Sequence, residues 1–197
     1  IIMVDDSLIA GIKMNNTDIM KMIRGKKGTE VRVKIKRGSI PDLLEFKIIR
    51  DKIPVFSMDA AYMADKTTGY IRLNRFAAST VEEFEKEFLK LKKKGMQNLI
   101  LDLQGNGGGY LNTAFILSDE FLDKDKMIVY TEGHRQPRWD AKATEKGVFE
   151  KGKLIILVDE SSASASEIVS GAVQDWDRGV IIGRRTFGKG LVQRPIV

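Results

Sequence analysis

Two periodic patterns of apolar residues alternate along residues 69–197, one with the period of a strand and one with the period of a helix. Strands are predicted at residues 69–76, 99–103, 127–131, 154–159 and 180–183, and helices at residues 79–95, 111–122 and 164–176. The first helix would begin with a capping box of Ser79 and Glu82. Because strands and helices follow one another in this order, the sequence predicts an α/β domain with buried, largely parallel strands.

Residues 1–53 have a different pattern, of a strand, a short helix and a hairpin. Residues 16–18 would cap the helix and Gly25 would stop it, while the hairpin would join an alternating strand at residues 31–35 to a second strand at residues 44–48. Residues 54–68 contain a proline and have no clear period. They are therefore predicted to link two domains, residues 1–53 and 69–197.

The net charge of the chain is +6, and the basic excess lies in residues 1–53. The most basic run, residues 24–28, has no aromatic side chain on which a base could stack, so no nucleic acid is expected as a partner. No run approaches the roughly 20 apolar residues of a membrane span, and none resembles a signal peptide. Since the chain begins inside an apolar, strand-like run, we expect it to be part of a longer protein.

The composition excludes several kinds of covalent and metal-dependent catalyst. The chain has no cysteine and one histidine, so thiol nucleophiles, thiolate metal sites and multi-histidine zinc sites are excluded. That histidine, His134, lies in a turn-rich segment and is predicted to be a surface residue. It could still orient a nucleophile from a distant loop, because catalytic triads are assembled in space and not in sequence.

Two glycine-rich segments match nucleotide-binding loops only in part. Residues 183–189 have the spacing of a phosphate loop, but Gly190 stands where a hydroxyl residue would hold magnesium. Residues 105–110 follow a strand, but Tyr110 stands where the dinucleotide fingerprint has its last glycine. The second segment instead places flexible backbone at a strand end, where N–H groups can face a developing negative charge. It is a candidate for half of an oxyanion hole.

Ser164 and Lys189 are the candidate nucleophile and general base. Ser164 would begin a helix beside the free amide of Ala165, and it would also form a capping box with Glu167, so its position fits a helix cap as well as a nucleophile. Lys189 lies between glycines in an apolar turn. Burial there would favour the neutral amine, which accepts a proton, whereas exposure would make it an ordinary hairpin lysine. Spacing alone leaves both pairs of alternatives open.

Three segments resemble the carboxyl-terminal processing peptidases, also called tail-specific proteases: NLILDLQGNGGG, LIILVDESSASASEIVSGAVQDWDRGVIIG and RRTFGKGLVQ. The resemblance implies an α/β, crotonase-like spiral peptidase core, truncated at its C-terminus, after a partial PDZ domain of helix plus β-hairpin. It implies Ser164 as nucleophile, Lys189 as general base and Gln193 as the residue that orients the lysine. The oxyanion hole would be formed by the amide of Ala165 and that of Gly107 or Gly108.

The resemblance also implies a serine endopeptidase that forms an acyl-enzyme and needs no metal or cofactor. Its substrates would be proteins or peptides with apolar C-termini, its location the bacterial periplasm or cell envelope, and a homo-oligomer is compatible with it. The chain departs from the family at Gln104, where arginine is frequent. Two alternatives remain: a relative of the same fold that binds a small apolar ligand, and a peptide-binding scaffold without catalysis. Both predict that Ser164 and Lys189 are dispensable.

Overall fold

A computed structural model of the chain describes residues 1–52, 56–134, 136–145 and 147–193. The chain divides into two compact units, residues 1–55 and 56–197. The predicted boundary at residues 53 and 54 falls outside the described residues. In chain order the elements are β1 (Met3–Val4), β2 (Ser7–Leu8), α1 (Asn16–Ile23), β3 (Glu30–Ile35), β4 (Leu44–Ile49), β5 (Met58–Met63), β6 (Thr68–Leu73), α2 (Thr80–Lys93), β7 (Asn98–Asp102), α3 (Leu111–Asp119), β8 (Met127–Gly133), β9 (Gln136–Lys142), β10 (Leu154–Val158), α4 (Ala165–Asp175) and β11 (Val180–Gly183).

The first unit is an antiparallel sheet with the strand order β2-β1-β3-β4, packed against helix α1. The alternation in β3 turns Val31 and Val33 inward, where they are buried with residues of β1 and of the loop after β2. The predicted helix and hairpin are both present. The helix is capped one residue earlier than predicted, because the side chain of Asn15 accepts the N–H of Asp18.

The second unit contains a five-stranded sheet with the order β11-β10-β7-β6-β5. All neighbours pair in parallel except β5 and β6, which confirms the predicted α/β class with largely parallel strands. Apolar side chains of one sheet face pack with α2, α3 and α4 into a single buried core. The core side chains from the sheet are Ile71, Leu73, Leu99, Leu101, Leu154, Ile156 and Val158. Among the described residues, no helix is long and apolar enough to span a bilayer.

Two strands of the second unit were not expected from the sequence. Strand β5, residues 58–63, lies within the predicted linker and pairs with β6 at the edge of the sheet. Its alanines give little apolar alternation, so the hydrophobic period does not reveal it. Strand β9, residues 136–142, pairs with β8 in a separate two-stranded sheet. It is mostly exposed and contains a proline, which lowers any strand signal.

The predicted capping box of Ser79 and Glu82 does not form. The backbone of Ser79 is already helical, with φ −86° and ψ −6°, whereas a capping side chain needs an extended backbone at that position. Its hydroxyl instead donates to Glu83 Oε1 at 2.6 Å. The same carboxylate accepts the N–H and the hydroxyl of Ser57, each at 2.9 Å, and so ties the start of α2 to the segment before β5.

Candidate active site

Three loops meet at one edge of the five-stranded sheet. They follow the carboxyl ends of β7, β10 and β11, which are neighbours and parallel, so their ends lie side by side. In open α/β sheets this is the edge at which ligands bind. We name them the glycine loop (residues 103–110), the serine loop (residues 159–164) and the lysine loop (residues 184–193). They carry every site residue predicted from the sequence, together with Ala165 at the start of α4.

Ser164 has an unusual backbone at the junction of the serine loop and α4. Its φ is 56° and its ψ is −109°. Three other non-glycine residues among those described have a positive φ, and all three are aspartates, a residue type that tolerates the left-handed region. The ψ of Ser164 lies far from that region, in a conformation that costs about 1–3 kcal/mol for a residue with a side chain. Strain of this kind is found at strand-to-helix turns that expose a nucleophilic serine.

Gly108 lies directly against Ser164. A Cβ atom placed on Gly108 would lie 2.9 Å from the Cβ of Ser164, 3.0 Å from the amide nitrogen of Ala165 and 2.7 Å from the carbonyl oxygen of Ala163. Its φ of 99° also disfavours any other residue. The structure thus brings together three of the predicted residues: Ser164, Ala165 and Gly108.

The amides predicted to hold an oxyanion differ in their hydrogen bonds. Gly108 donates its N–H to Asn106 Oδ1 at 2.9 Å. Within the described part of the chain, the N–H groups of Gly107 and of Ala165, the first residue of α4, have no hydrogen-bond acceptor. A Cβ on Gly107 would meet open space. These two amides are therefore available to a ligand without breaking an existing bond.

Glu167 connects the serine loop to the lysine loop. Its Oε2 accepts the N–H of Ser164 at 2.8 Å and the N–H of Lys189 at 2.9 Å. Its Oε1 accepts the N–H of Gly188 at 2.6 Å and the hydroxyl of Thr186 at 2.8 Å. Partial burial alone would raise the pKa of Glu167, but these four hydrogen bonds favour the carboxylate and together lower it. One ionised side chain thus holds the main chains of Ser164 and Lys189 beside the same oxygen atom.

The side chains of the lysine loop are less enclosed than the apolar sequence suggested. Lys189 is exposed, so the alternative of a buried lysine is not the arrangement present here. Gln193 is exposed as well, and none of the hydrogen bonds among the described residues joins it to Lys189. The main chain of Lys189 is therefore placed by Glu167, while its role and that of Gln193 stay predictions.

The serine loop and the glycine loop are joined by two further polar residues. Asp159 Oδ1 accepts the N–H groups of Gly105 at 3.0 Å, Ser161 at 3.0 Å and Ser162 at 3.1 Å. The Gly105 amide, together with these neighbours, lowers the pKa of Asp159. Asn106 is completely buried and bonds to both loops through its side chain and its carbonyl oxygen. The two loops are therefore one hydrogen-bonded unit.

A buried carboxylate lies at the end of β7. Asp102 is 2% exposed, and its Oδ2 accepts the hydroxyl of Tyr70 at 2.5 Å while its Oδ1 accepts the N–H of Gln104 at 2.8 Å. Burial of the Tyr70 hydroxyl and its hydrogen bond to Asp102 raise the pKa of Tyr70 to about 12. Gln104 thus contributes its main chain to this arrangement, and the described hydrogen bonds include none from its side chain.

A mostly apolar cavity adjoins the far end of the glycine loop. It has a volume of about 330 Å³ and is lined by Ala78, Val81, Tyr110, Asn112, Thr113 and Ile116. Tyr110, the residue after the last glycine of the loop, is 63% exposed.

The histidine predicted to lie at the surface is found there. His134 is an exposed residue in the turn after β8, as predicted for a surface histidine. In the described part of the chain, no three histidine or acidic side chains form a group that could hold a metal ion. Sequence reasoning missed Asn106 and the link made by Glu167. Glu167 was recognised only as a capping residue, and Asn106, a lone polar residue among glycines, had no periodic signal.

Comparison with known proteins identifies the family of this chain. The model of Peptidase family S41 matches residues 67–197. A Staphylococcus epidermidis protein named "Probable CtpA-like serine protease" is 38% identical over 177 residues, which are 89% of this chain and 35% of that protein. A protein of the same name from Staphylococcus haemolyticus is 36% identical over 191 residues, covering 96% of this chain and 37% of its own length.

A solved structure is similar as well. The photosystem II D1 C-terminal processing protease superposes with a TM-score of 0.64 at 27% identity, over 98% of this chain and 53% of that one. The chain spans about a third of the length of the curated relatives it matches.

Proposed function

This chain belongs to peptidase family S41, and from that premise we propose that it is the catalytic part of a serine endopeptidase that forms an acyl-enzyme on Ser164. The observation that carries the proposal is the strained backbone of Ser164 at the start of α4, beside the free amide of Ala165 and against Gly108. A helix cap alone would need no such strain, because an ordinary cap has an extended backbone.

The reaction follows from these groups. Ser164 Oγ attacks the carbonyl carbon of the scissile peptide bond while its proton passes to Lys189, which acts as the general base. The resulting oxyanion would accept hydrogen bonds from the amide of Ala165, at the positive end of the α4 dipole, and from that of Gly107 or Gly108 in the glycine loop. The C–N bond then breaks, the lysine gives its proton to the leaving amine, and water hydrolyses the acyl-enzyme.

Lys189 would act with its side chain turned toward Ser164. The support is the Glu167 carboxylate, which binds the main-chain N–H groups of Ser164 and Lys189 on the same oxygen. That shared acceptor keeps the two main chains close, and the long lysine side chain then needs only rotation about its own bonds to reach the hydroxyl. Gln193, four residues along the loop, would orient the amine.

The wider assignments are proposals of the same kind. The sheet and helix of the first unit are consistent with the C-terminal half of a PDZ domain, and the second unit with a crotonase-like spiral core. Substrates would be proteins with apolar C-terminal tails. The apolar cavity beside Tyr110 supports a preference for apolar side chains near the cleaved bond. A bacterial envelope location is likewise inferred from the resemblance of the sequence.

The test is cleavage of an unfolded protein with an apolar tail by the wild-type protein and by Ser164→Ala and Lys189→Ala. We expect both variants to fold and to lose at least about 1000-fold in kcat, as expected when the members of a catalytic group are removed. Matched controls are Ser161→Ala and Lys153→Ala, which change an exposed serine and an exposed lysine of the same unit. Cleavage by the two variants at the wild-type rate would refute the proposal and favour a binding protein.

A further inference from the structure

Exposed apolar side chains are concentrated on two of the loops that meet at the candidate active site. Among the described residues, the three most exposed large apolar side chains are Leu191 (77%), Phe187 (68%) and Tyr110 (63%). Leu191 and Phe187 belong to the lysine loop, and Tyr110 ends the glycine loop. A single apolar side chain on a protein surface needs no explanation, but a group of them around one site indicates a binding surface.

Tyr110 has a fixed main chain close to Ser164. Phe76 donates its N–H to the carbonyl oxygen of Gly108 and accepts the N–H of Tyr110 on its own carbonyl oxygen, each at 2.9 Å. Tyr110 is two residues from Gly108, the glycine that contacts Ser164, so the Cα atoms of Tyr110 and Gly108 lie within about 7 Å of each other. The described hydrogen bonds and ring contacts include none from the Tyr110 side chain. This exposed side chain therefore projects from a fixed point beside the nucleophile.

Phe187 has a fixed main chain on the lysine loop. Its N–H donates to the carbonyl oxygen of Ser162 at 3.0 Å, and Ser162 is two residues before Ser164. The next residue, Gly188, donates its N–H to Glu167 Oε1 at 2.6 Å. The exposed ring of Phe187 therefore also projects from a fixed point close to the nucleophile.

The strand order places Tyr110 and Phe187 on opposite sides of Ser164. Strand β10 lies between β7 and β11 in the sheet, and all three strands are parallel. The serine loop after β10 therefore lies between the glycine loop after β7 and the lysine loop after β11. A peptide that crosses these strand ends with its scissile carbonyl at Ser164 passes over one loop before the cleaved bond and over the other loop after it.

We propose that Tyr110 and Phe187 are specificity-determining residues, each of which contacts an apolar side chain of the substrate on its own side of the cleaved bond. The proposal rests on the proposed function of Ser164 and defines its substrates further, as polypeptides with apolar residues on both sides of that bond. Burial of these side chains against the substrate removes apolar surface of both partners from water.

The two sides differ in charge. The glycine loop has no charged residue, whereas the lysine loop carries Arg184, Arg185 and Lys189. An acidic substrate residue is therefore disfavoured more strongly on the side of Tyr110 than on the side of Phe187, where a cation can partner it.

The test is cleavage of four fluorogenic peptides that carry leucine or serine at each of the two positions flanking the cleaved bond, with the cut confirmed by mass spectrometry. In the wild-type protein, each change of leucine to serine should lower kcat/KM about tenfold. Tyr110→Ala should abolish the preference for leucine at one position, and Phe187→Ala should abolish it at the other. A peptide with aspartate should be cleaved more slowly when the aspartate is at the position coupled to Tyr110.

The matched control is Leu89→Ala, which removes an apolar side chain that is 54% exposed on α2, outside the three loops. It should leave kcat/KM for all four peptides within about twofold. Tyr110→Leu and Phe187→Leu keep an apolar side chain and should keep the preference for leucine. Because all these side chains are exposed, every variant should unfold at the denaturant concentration of the wild-type protein.

A binding measurement separates this proposal from the proposed function. The peptide with two leucines should bind to Ser164→Ala, and its affinity should fall at least about fivefold when Tyr110→Ala or Phe187→Ala is added. If the wild-type protein cleaves none of the peptides but this binding pattern is found, the proposed function fails and the two residues still form an apolar binding surface.

Three results would overturn the proposal. The first is equal cleavage of the four peptides by the wild-type protein, since the exposed side chains would then meet something other than substrate. The second is an unchanged preference at both positions in Tyr110→Ala and Phe187→Ala, which would leave the role of Ser164 intact. The third is loss of the preference at the same position in both variants, which would contradict their location on opposite sides of Ser164.

Discussion

The substitution Glu167→Gln removes the negative charge of the carboxylate that joins Ser164 to Lys189, while it keeps the size and shape of the side chain. In the wild-type protein two hydrogen bonds end on each carboxylate oxygen. Glutamine has one oxygen that accepts and one amide group that only donates. Two of the four donors would therefore face another donor, either those from Ser164 and Lys189 or those from Gly188 and Thr186.

The size of the effect follows from the bonds lost. A hydrogen bond to a charged group contributes about 1.5–3 kcal/mol, so losing two would cost about 3–6 kcal/mol in a fully buried site. Glu167 is only partly buried, and water can replace part of each bond, so we expect about 1–3 kcal/mol for holding the lysine loop. At about 1.36 kcal/mol for each factor of ten, kcat would fall about 10- to 100-fold.

The lowered pKa of Glu167 predicts the direction in which stability changes with pH. The pKa of Glu167 is lowered below its ordinary value of 4.5, so its contribution to stability is present above that value and is lost as the pH falls through the lowered pKa. Acid should therefore release the lysine loop in the wild-type protein. In Glu167→Gln the loop should already be released at neutral pH, with no further acid step from this residue.

The assay is cleavage of a tail peptide, with hydrogen exchange at Gly188 and Lys189 as the structural readout. The matched control is Glu120→Gln, since Glu120 is also a carboxylate that accepts a backbone N–H, that of Val148; it is buried and lies outside the three loops. Its pKa is raised by burial, so neutralising it should not lower stability in the same way. Wild-type kcat together with unchanged exchange in Glu167→Gln would refute the reasoning.

Two further substitutions test contacts around the site. Gly108→Ala should lower the free energy of unfolding by about 1–3 kcal/mol and kcat at least tenfold, because φ is 99° and the new methyl group would meet Ala163 and Ser164. Gly171→Ala, in α4 with open space around it, is the control and should be neutral or stabilising in chemical denaturation, so equal behaviour of the two would contradict the contact. Tyr70→Phe should cost about 1–3 kcal/mol by leaving a buried oxygen of Asp102 without its donor. It should also remove the phenol that titrates at about 12, and a wild-type protein whose tyrosines all titrate near 10 would contradict that assignment.

Local periodicity predicted the elements whose side chains form the buried core, and it missed strands that contribute little to that core. Strand β10 was predicted within one residue of its observed bounds, and helices α2 and α4 within a few residues, because each has a continuous apolar face. Strands β5 and β9 were missed, because an edge strand rich in alanine and an exposed strand with proline lack that face. The capping box at Ser79 was wrong, since helical dihedral angles at that residue moved its hydroxyl to Glu83.

The sequence by itself determined the α/β class and named Ser164 and Lys189, because hydrophobic period and side-chain chemistry are local properties of a chain. Only the tertiary structure decided what surrounds them. Gly108 contacts Ser164, and Asn106 accepts the hydroxyl of a residue 60 positions away, because the order β11-β10-β7 puts the ends of these strands side by side. That order is a property of crossover connections between strands, which no local pattern of residues encodes.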